Sequence, residues 1–462
     1  MIIDKALLDN GLTPKLLGEL IARHEQNRDR FERLRGYYEG RHEILVRKKH
    51  SPNAANNKVV CNHAKYIVDM AQAYLVGAPV KYAAADGYDI KPIEEAYTEQ
   101  DIASIDSELV KEMGIFGRSY ELLYTDSEGK PRSAVLDPTM AFAVYSDECD
   151  RRQLLGVYYY KKFDLNGTVT GVVCKAYDDT HIYSYSGRGG SWSALELTGE
   201  PEEHYFGEVP LIEYMNNEER QGDFEQEIPL IDAYNILMSD RVNDKAQYVD
   251  SFLFISNMDV DSEQAEKLRE ERILLGFENS DAKYLSQTLS EADTKVLRDD
   301  YKDDIHRFSM VPDLSDEKFG GNLSGVAIKY KLLGFEQLTK NRERYLKKSL
   351  QRRFELYNNL LAKSENMAAV PPYQVDIQFT RNLPVNNLET AQMLQYLDGV
   401  ISQKTKLEQL EFVSDADEEL KIFEDEQEKA MKRQERMFAE PGRSTDDDTE
   451  EDGDPIDEDE ER

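Results

Sequence analysis

The chain has 462 residues, 40% of them hydrophobic, which is enough to build real cores and, at roughly 150 residues per unit, about three structural units. Ninety-one acidic residues against 57 basic ones leave a net charge of −34, the wrong sign for a protein that grips DNA or an anionic membrane. That excludes a sequence-specific nucleic-acid binder but not a protein that lets nucleic acid pass without holding it. Cys61, Cys149 and Cys174 form neither a disulfide framework nor a C-x-x-C pair, which suits a reducing compartment. Asp4, Lys5, Asp9 and Glu19 interrupt the first apolar run, so it reads as neither a secretory signal nor an anchor. No stretch approaches the roughly 18 uncharged apolar residues of a membrane helix. The charge is uneven: residues 444–462 hold twelve acids and one Arg, a net −11 with Ile456 as the one apolar side chain. This tail cannot bury a core and is expected to be disordered.

Along the chain, Thr13-Pro14 reads as a capped helix start. Leu16, Leu20, Phe31, Leu34 and Tyr38 recur at helical spacing, with arginines on the rest. A second helix carries Ala64, Ile67, Val68, Ala71 and Leu75 on one face and stops at Gly77 before Pro79. A third is expected from about Pro92 to Gly114. From Gly117 to Asn216 the period changes to two, giving predicted strands at 119–125, 141–146, 154–163, 169–177 and 181–185. Helix returns at Glu225, with Ile231, Tyr234, Met238, Val242, Ala246, Val249 and Leu253 on one face. Beside them runs a second stripe, Asp232, Asn235, Ser239, Asn243, Gln247 and Asp250, small and polar with no Lys or Arg. The ordinary reading is a solvent face, although a face without a single long side chain is unusual.

Strands at 251–256, 273–278 and 283–286 then flank a helix at 261–272, a compact βαββ insertion. A helix at about 290–308 follows. The two helices bracketing the insertion have the lengths of an antiparallel hairpin. Val311-Pro312-Asp313 opens a loop containing the Gly320-Gly321 pair. Ser324 caps a helix reaching about Lys363, with Gly334 as the predicted kink. Nine basic and two acidic residues between 324 and 353 give that helix a local +7. It either touches DNA or neutralises acidic neighbours. Residues 373–381 alternate like a strand, and helix resumes from Asn387 to about Met437.

The usual catalytic constellations are missing. Gly320-Gly321-Asn322-Leu323-Ser324-Gly325 precedes a helix but lacks the Gly-Lys-Ser/Thr of a P-loop. No H-E-x-x-H or G-x-S-x-G occurs. His63, with Asp69 as its orienter, is a weak candidate base beside the commoner packed histidine. The residues favour no catalysis, no cofactor and no metal. Two alternatives stay open on the residues: a metal-dependent DNA-processing enzyme using some of the abundant carboxylates, and an acidic scaffold or adaptor protein.

Several segments resemble the portal proteins of tailed bacteriophages, of the kind found in siphophages of Gram-positive hosts (the SPP1-like portal family). They are Asn57-Lys58-Val59-Val60-Cys61-Asn62-His63-Ala64-Lys65-Tyr66-Ile67-Val68-Asp69 with Gly77-Ala78-Pro79-Val80; Gly207-Glu208-Val209-Pro210-Leu211-Ile212-Glu213-Tyr214 with Asn217; Gly222-Asp223-Phe224-Glu225 with Leu230-Ile231-Asp232-Ala233-Tyr234-Asn235 and Ser239-Asp240; Val311-Pro312-Asp313 with Ser324-Gly325-Val326-Ala327; and Phe379-Thr380-Arg381-Asn382-Leu383-Pro384. Their order agrees too, over about residues 15–430.

The resemblance implies an α+β, mainly α portal fold. It implies a wing (1–225), a stem helix (226–251), a clip (252–289), a second stem helix (290–310), a tunnel loop (311–323), a long kinked helix with a return strand (324–386), a crown (387–440) and the acidic tail (441–462). It implies a homo-oligomeric ring of about twelve copies at the unique capsid vertex of the virion. The terminase large subunit would pack double-stranded DNA through it without sequence specificity. Neck or adaptor proteins and major capsid and scaffolding proteins are the other implied partners, with no membrane. The protein would be made in the bacterial host cytoplasm. The expected channel constriction is Asp313, Leu314, Ser315, Asp316, Glu317, Lys318, Phe319, Gly320, Gly321 and Asn322. The stripe from Asp232 to Asp250 is the expected channel-facing side of the stem.

Overall fold

In the computed structural model the Thr13 hydroxyl accepts from Leu16 N and starts helix Pro14–Glu25, as the sequence predicts. The structure describes residues 1–9, 11–49, 55–85, 87–249, 252–256, 281–285, 291–314, 325–364, 368–381, 387–407, 409–410, 413 and 416–438. The chain divides into two units, Met1–Leu383 and Pro384–Arg462.

The first unit is mixed α/β. Strands Ala141–Ser146, Gln153–Phe163, Val169–Tyr177 and His181–Arg188 form consecutive antiparallel pairs in a seven-stranded sheet, with the short Ile2–Ile3 strand added in parallel at one edge. Helix Pro14–Glu25 packs its Leu17, Leu20 and Ile21 on the same core as Phe142, Val144, Val157 and Trp192 of this layer. Gly18 is required there, because a Cβ would stand 2.6 Å from the Trp192 carbonyl oxygen. Leu211–Met215, Arg118–Thr125 and Pro131–Leu136 make a three-stranded sheet. The sequence did not mark the first and last of these as strands.

The expected helix from Pro92 to Gly114 is two helices, Lys91–Glu99 and Ile102–Phe116. Asp101 breaks it with φ of 52°, and the Gln100 amide donates to Ala96 O and Pro131 O and accepts from Ser133 N. Neither residue is a Gly or Pro, so no local signal announces the break. Gly117 then turns the chain into strand Arg118–Thr125 at φ of 78°, close against the Arg220 carbonyl. A side chain fits neither that torsion nor that approach.

Helices Ile228–Val249 and Glu291–Ser309 pack together. Between them in sequence, Phe252–Ser256 pairs antiparallel with Asp281–Leu285. The helix expected at 261–272 and the strand expected at 273–278 lie outside the described residues. The long basic helix is Gly325–Lys331 followed by Leu333–Ser364, interrupted at Leu332 rather than at Gly334. Backbone bonds from Leu332 N to Ile328 O and from Glu336 N to Leu332 O still bridge the interruption. Leu346, Leu350, Phe354, Tyr357 and Leu361 step by four, four, three and four, sharing a core with Leu109, Leu123, Tyr214, Val375 and Ile377. Strand Val375–Gln378 pairs with Lys81–Ala84.

Charge on the long helix is largely matched inside the fold. Arg353, 0% exposed, bonds Asp106 at 2.5 Å and Glu121 at 2.9 Å. Arg342 pairs with the buried Asp223, Arg352 with Glu208 and Glu355, and Lys347 with Asp376. The second unit contains helices Asn387–Tyr396, Gln403–Leu407 and Ala416–Phe438, where the sequence suggested near-continuous helix. The acidic tail lies outside the described residues.

Replacing Arg353 by Met leaves two carboxylates buried against each other. The expected loss is about 3–5 kcal/mol of folding free energy, read as a lower denaturant midpoint. A midpoint within experimental scatter of the parent would contradict the role given to Arg353.

Candidate functional site

Helix Ile228–Val249 carries Asn235, Ser239 and Asn243 four residues apart. Asn235 Oδ1 accepts from Cys61 N at 2.8 Å, Ser239 Oγ from Val59 N at 2.9 Å and Asn243 Oδ1 from Asn57 N at 2.6 Å. Four helical residues rise about 6 Å, and two extended residues advance about 6.6–6.8 Å. The repeats nearly match, so each alternate N–H of the segment meets the next side chain of the helix. The three residues are 0%, 0% and 6% exposed.

The seam continues at both levels of the helix. His42 Nε2–H donates to Tyr37 O at 2.9 Å, which leaves Nδ1 to accept from Asn235 Nδ2 at 2.8 Å. Burial lowers the His42 pKa, in keeping with that neutral tautomer. Asp232 accepts from the Tyr37 hydroxyl at 2.7 and 2.8 Å. The side chains read from the sequence as channel-facing therefore lie, for Asn235, Ser239 and Asn243, in an internal seam against residues 57–61. A face without long side chains lets a backbone approach closely. The Gln247 side chain and Asp250 lie outside the described residues.

The expected constriction begins at Asp313, and its root is held tightly. His306 Nδ1–H donates to Val311 O at 2.9 Å. The Tyr66 hydroxyl donates to Pro312 O at 2.9 Å and accepts from Leu314 N at 3.1 Å. Lys302 pairs with Asp313, whose side chain is 16% exposed. Between them, helix His63–Val76 holds Pro312 and Leu314 and helix Glu291–Ser309 holds Val311 and Asp313. Ser315 to Asn322 lie outside the described residues.

Behind the root, His63 meets His306 edge-on at 5.6 Å and Tyr234 at 5.0 Å. Burial, reinforced by His306, pushes the His63 imidazole down to about 4. Asp69, its expected orienter, instead accepts from Tyr38 at 2.8 Å and pairs with Lys65 at 2.7 Å. Sequence reasoning did not single out Tyr66, Lys302 or His306. The available signal was that Tyr66 and Val311-Pro312-Asp313 both sit in segments carrying the family resemblance. Among the described residues no three His, Cys, Asp or Glu side chains cluster as metal ligands, and no helix is long and apolar enough to cross a membrane.

Ser239→Ala strips the partner from Val59 N and Asn243→Ala that from Asn57 N. Each is expected to cost about 1–3 kcal/mol and to speed amide exchange at the orphaned N–H. Unchanged exchange would contradict the seam. For His63 the folded pKa lies below the ordinary 6.5, so the unfolded chain takes up the proton first. Its contribution is fully present above about 6.5 and is lost as pH falls towards 4. His63→Gln is expected to flatten that part of the stability–pH curve, and an unchanged curve would contradict the assignment.

The family model described as "Phage portal protein, SPP1 Gp6-like" matches residues 17–433. A portal protein of Bacillus phage SPP1 is 25% identical over 437 residues, covering 91% of this chain and 85% of the relative. A portal protein of Clostridium phage phiCD119 is 22% identical over 438 residues, covering 88% and 94%. A solved structure described as "Neck of empty GTA particle computed with C6 symmetry" aligns at 15% identity and a TM-score of 0.42, covering 74% of this chain and 87% of that one. With nearly its whole length matched, the chain belongs to the phage portal protein family, a family of structural proteins rather than enzymes.

Proposed function

We propose that this protein forms a ring of about twelve copies around a channel at the unique vertex of a phage capsid. Double-stranded DNA enters through it during terminase-driven packaging and leaves through it on infection. Neck or adaptor proteins bind it, and capsid and scaffolding proteins meet it during head assembly. The observation that carries this reading is the family match over residues 17–433. The charge supports it: with 91 acidic against 57 basic residues, −11 of the net −34 lying in residues 444–462, the rest of the chain is still net acidic and repels phosphates overall more than it holds them.

On this reading residues 1–225 and 324–386 form the wing with its long helix. Residues 226–251 and 290–310 form the stem, 252–289 the clip and 387–440 the crown. The segment from Asp313 to Asn322 is the narrowest part of the channel. It has three acids, one Lys and a Gly pair, and its root is the one gripped by Tyr66, Lys302 and His306. A firm root lets each copy present the same short segment to passing DNA.

Deleting Phe319 to Asn322 leaves the gripped root intact. Rings are expected to form normally, while packaging or retention of DNA falls sharply. Packaging and retention equal to the parent's would contradict the assignment.

A further inference from the structure

Two exposed patches lie beside the seam: the first combines apolar surface with lysines, the second combines it with two aspartates unpaired among the described residues, while Arg307 on the same helical face is paired with Asp304. The first is Leu45, 41% exposed, and Val46, 77% exposed, followed by the exposed Lys48 and Lys49. Lys58 joins them, its Nζ donating to Leu45 O at 2.5 Å. Arg47 ties this patch to helix Ile228–Val249 through Asp240 at 2.6 Å. Lys48, Lys49 and Lys58 leave this patch positive on a chain of net −34.

The second patch is on helix Glu291–Ser309, which also packs against helix Ile228–Val249. Val296, 60% exposed, stands at spacing four and seven from the exposed Asp300 and Asp303, which places all three on one helical face. Leu297, 42% exposed, borders it. No ion pair is present among the described residues for Lys48, Lys49, Asp300 or Asp303.

We infer that the 45–49 patch of one copy docks on the 296–303 face of the next copy, so that these two faces form the contact that closes the ring. The inference rests on the ring reading and names its interface. The patches match in kind: apolar to apolar and Lys to Asp. They differ from each other, so the contact is heterologous, the type that propagates head to tail and closes when the wedge angle allows. Phosphate binding would use the lysines but leave Val46 and Leu45 wet, which favours a protein partner over DNA.

The test compares the full chain with Lys48→Glu/Lys49→Glu and with Asp300→Lys/Asp303→Lys, by sedimentation and native mass measurement. Each double variant alone is expected to need about tenfold or more protein to assemble. An equimolar mixture should recover rings, because each reversed face then meets its reversed complement. Val46→Ser, which changes no charge, should also weaken assembly, and equal melting temperatures check that all variants are folded. Rings of parental stability in both charge variants, or no recovery on mixing, overturn the contact. Intact Lys48→Glu/Lys49→Glu rings that lose DNA in packaging would give the patch to DNA and overturn it too. If the unaltered chain forms no rings, the ring reading itself falls, and the interface with it.

Discussion

One buried guanidinium holds the first unit in register. Arg353 lies about two thirds of the way along helix Leu333–Ser364, and it is bonded to Asp106 on helix Ile102–Phe116 and to Glu121 on strand Arg118–Thr125. Tyr214 of the adjoining strand donates to the same Glu121 at 2.5 Å, with the guanidinium over its ring. A charge this deep is tolerated only when several partners answer it at once. The long helix is therefore fixed in azimuth as well as position, because rotating it would strand Arg353 in apolar surroundings. The pairs of Arg342 with Asp223 and of Lys347 with Asp376 lie along the same helix and act in the same sense.

That constraint bears on how the chain's charge is read. The net +7 of the segment 324–353 looks from sequence like a surface meant for a polyanion. Much of it instead answers carboxylates of the acidic body. Arg344 and Lys348 remain exposed. The acidity seen first in the composition is thus partly consumed by the fold, and what is left over defines the patches available to other molecules.

How much was legible follows from what each signal encodes. Periodicity and caps are local, and they placed the start of helix Pro14–Glu25, the stop of helix His63–Val76 and strands Ala141–Ser146 and Val169–Tyr177, but not the break between Glu25 and the separate helix Arg28–Tyr38. The break at Asp101 was hidden because Gln100 earns its role from partners about thirty residues and more away, Pro131 and Ser133. The polar stripe was visible as unusual, but side-chain size alone does not distinguish a lumen from a backbone. The residues that settle the matter, Asn57, Val59 and Cys61, alternate in an extended segment read as a family motif without a structural reason. The same holds for Tyr66, which grips Pro312 from 246 positions away.

The central claim is that copies of this chain close around a hole. It is tested most directly by imaging the purified full chain and classifying the particles by rotational symmetry. The account expects closed rings of about a dozen copies with an open axis wide enough for a DNA duplex. Monomers, dimers or open spirals as the dominant species would contradict it.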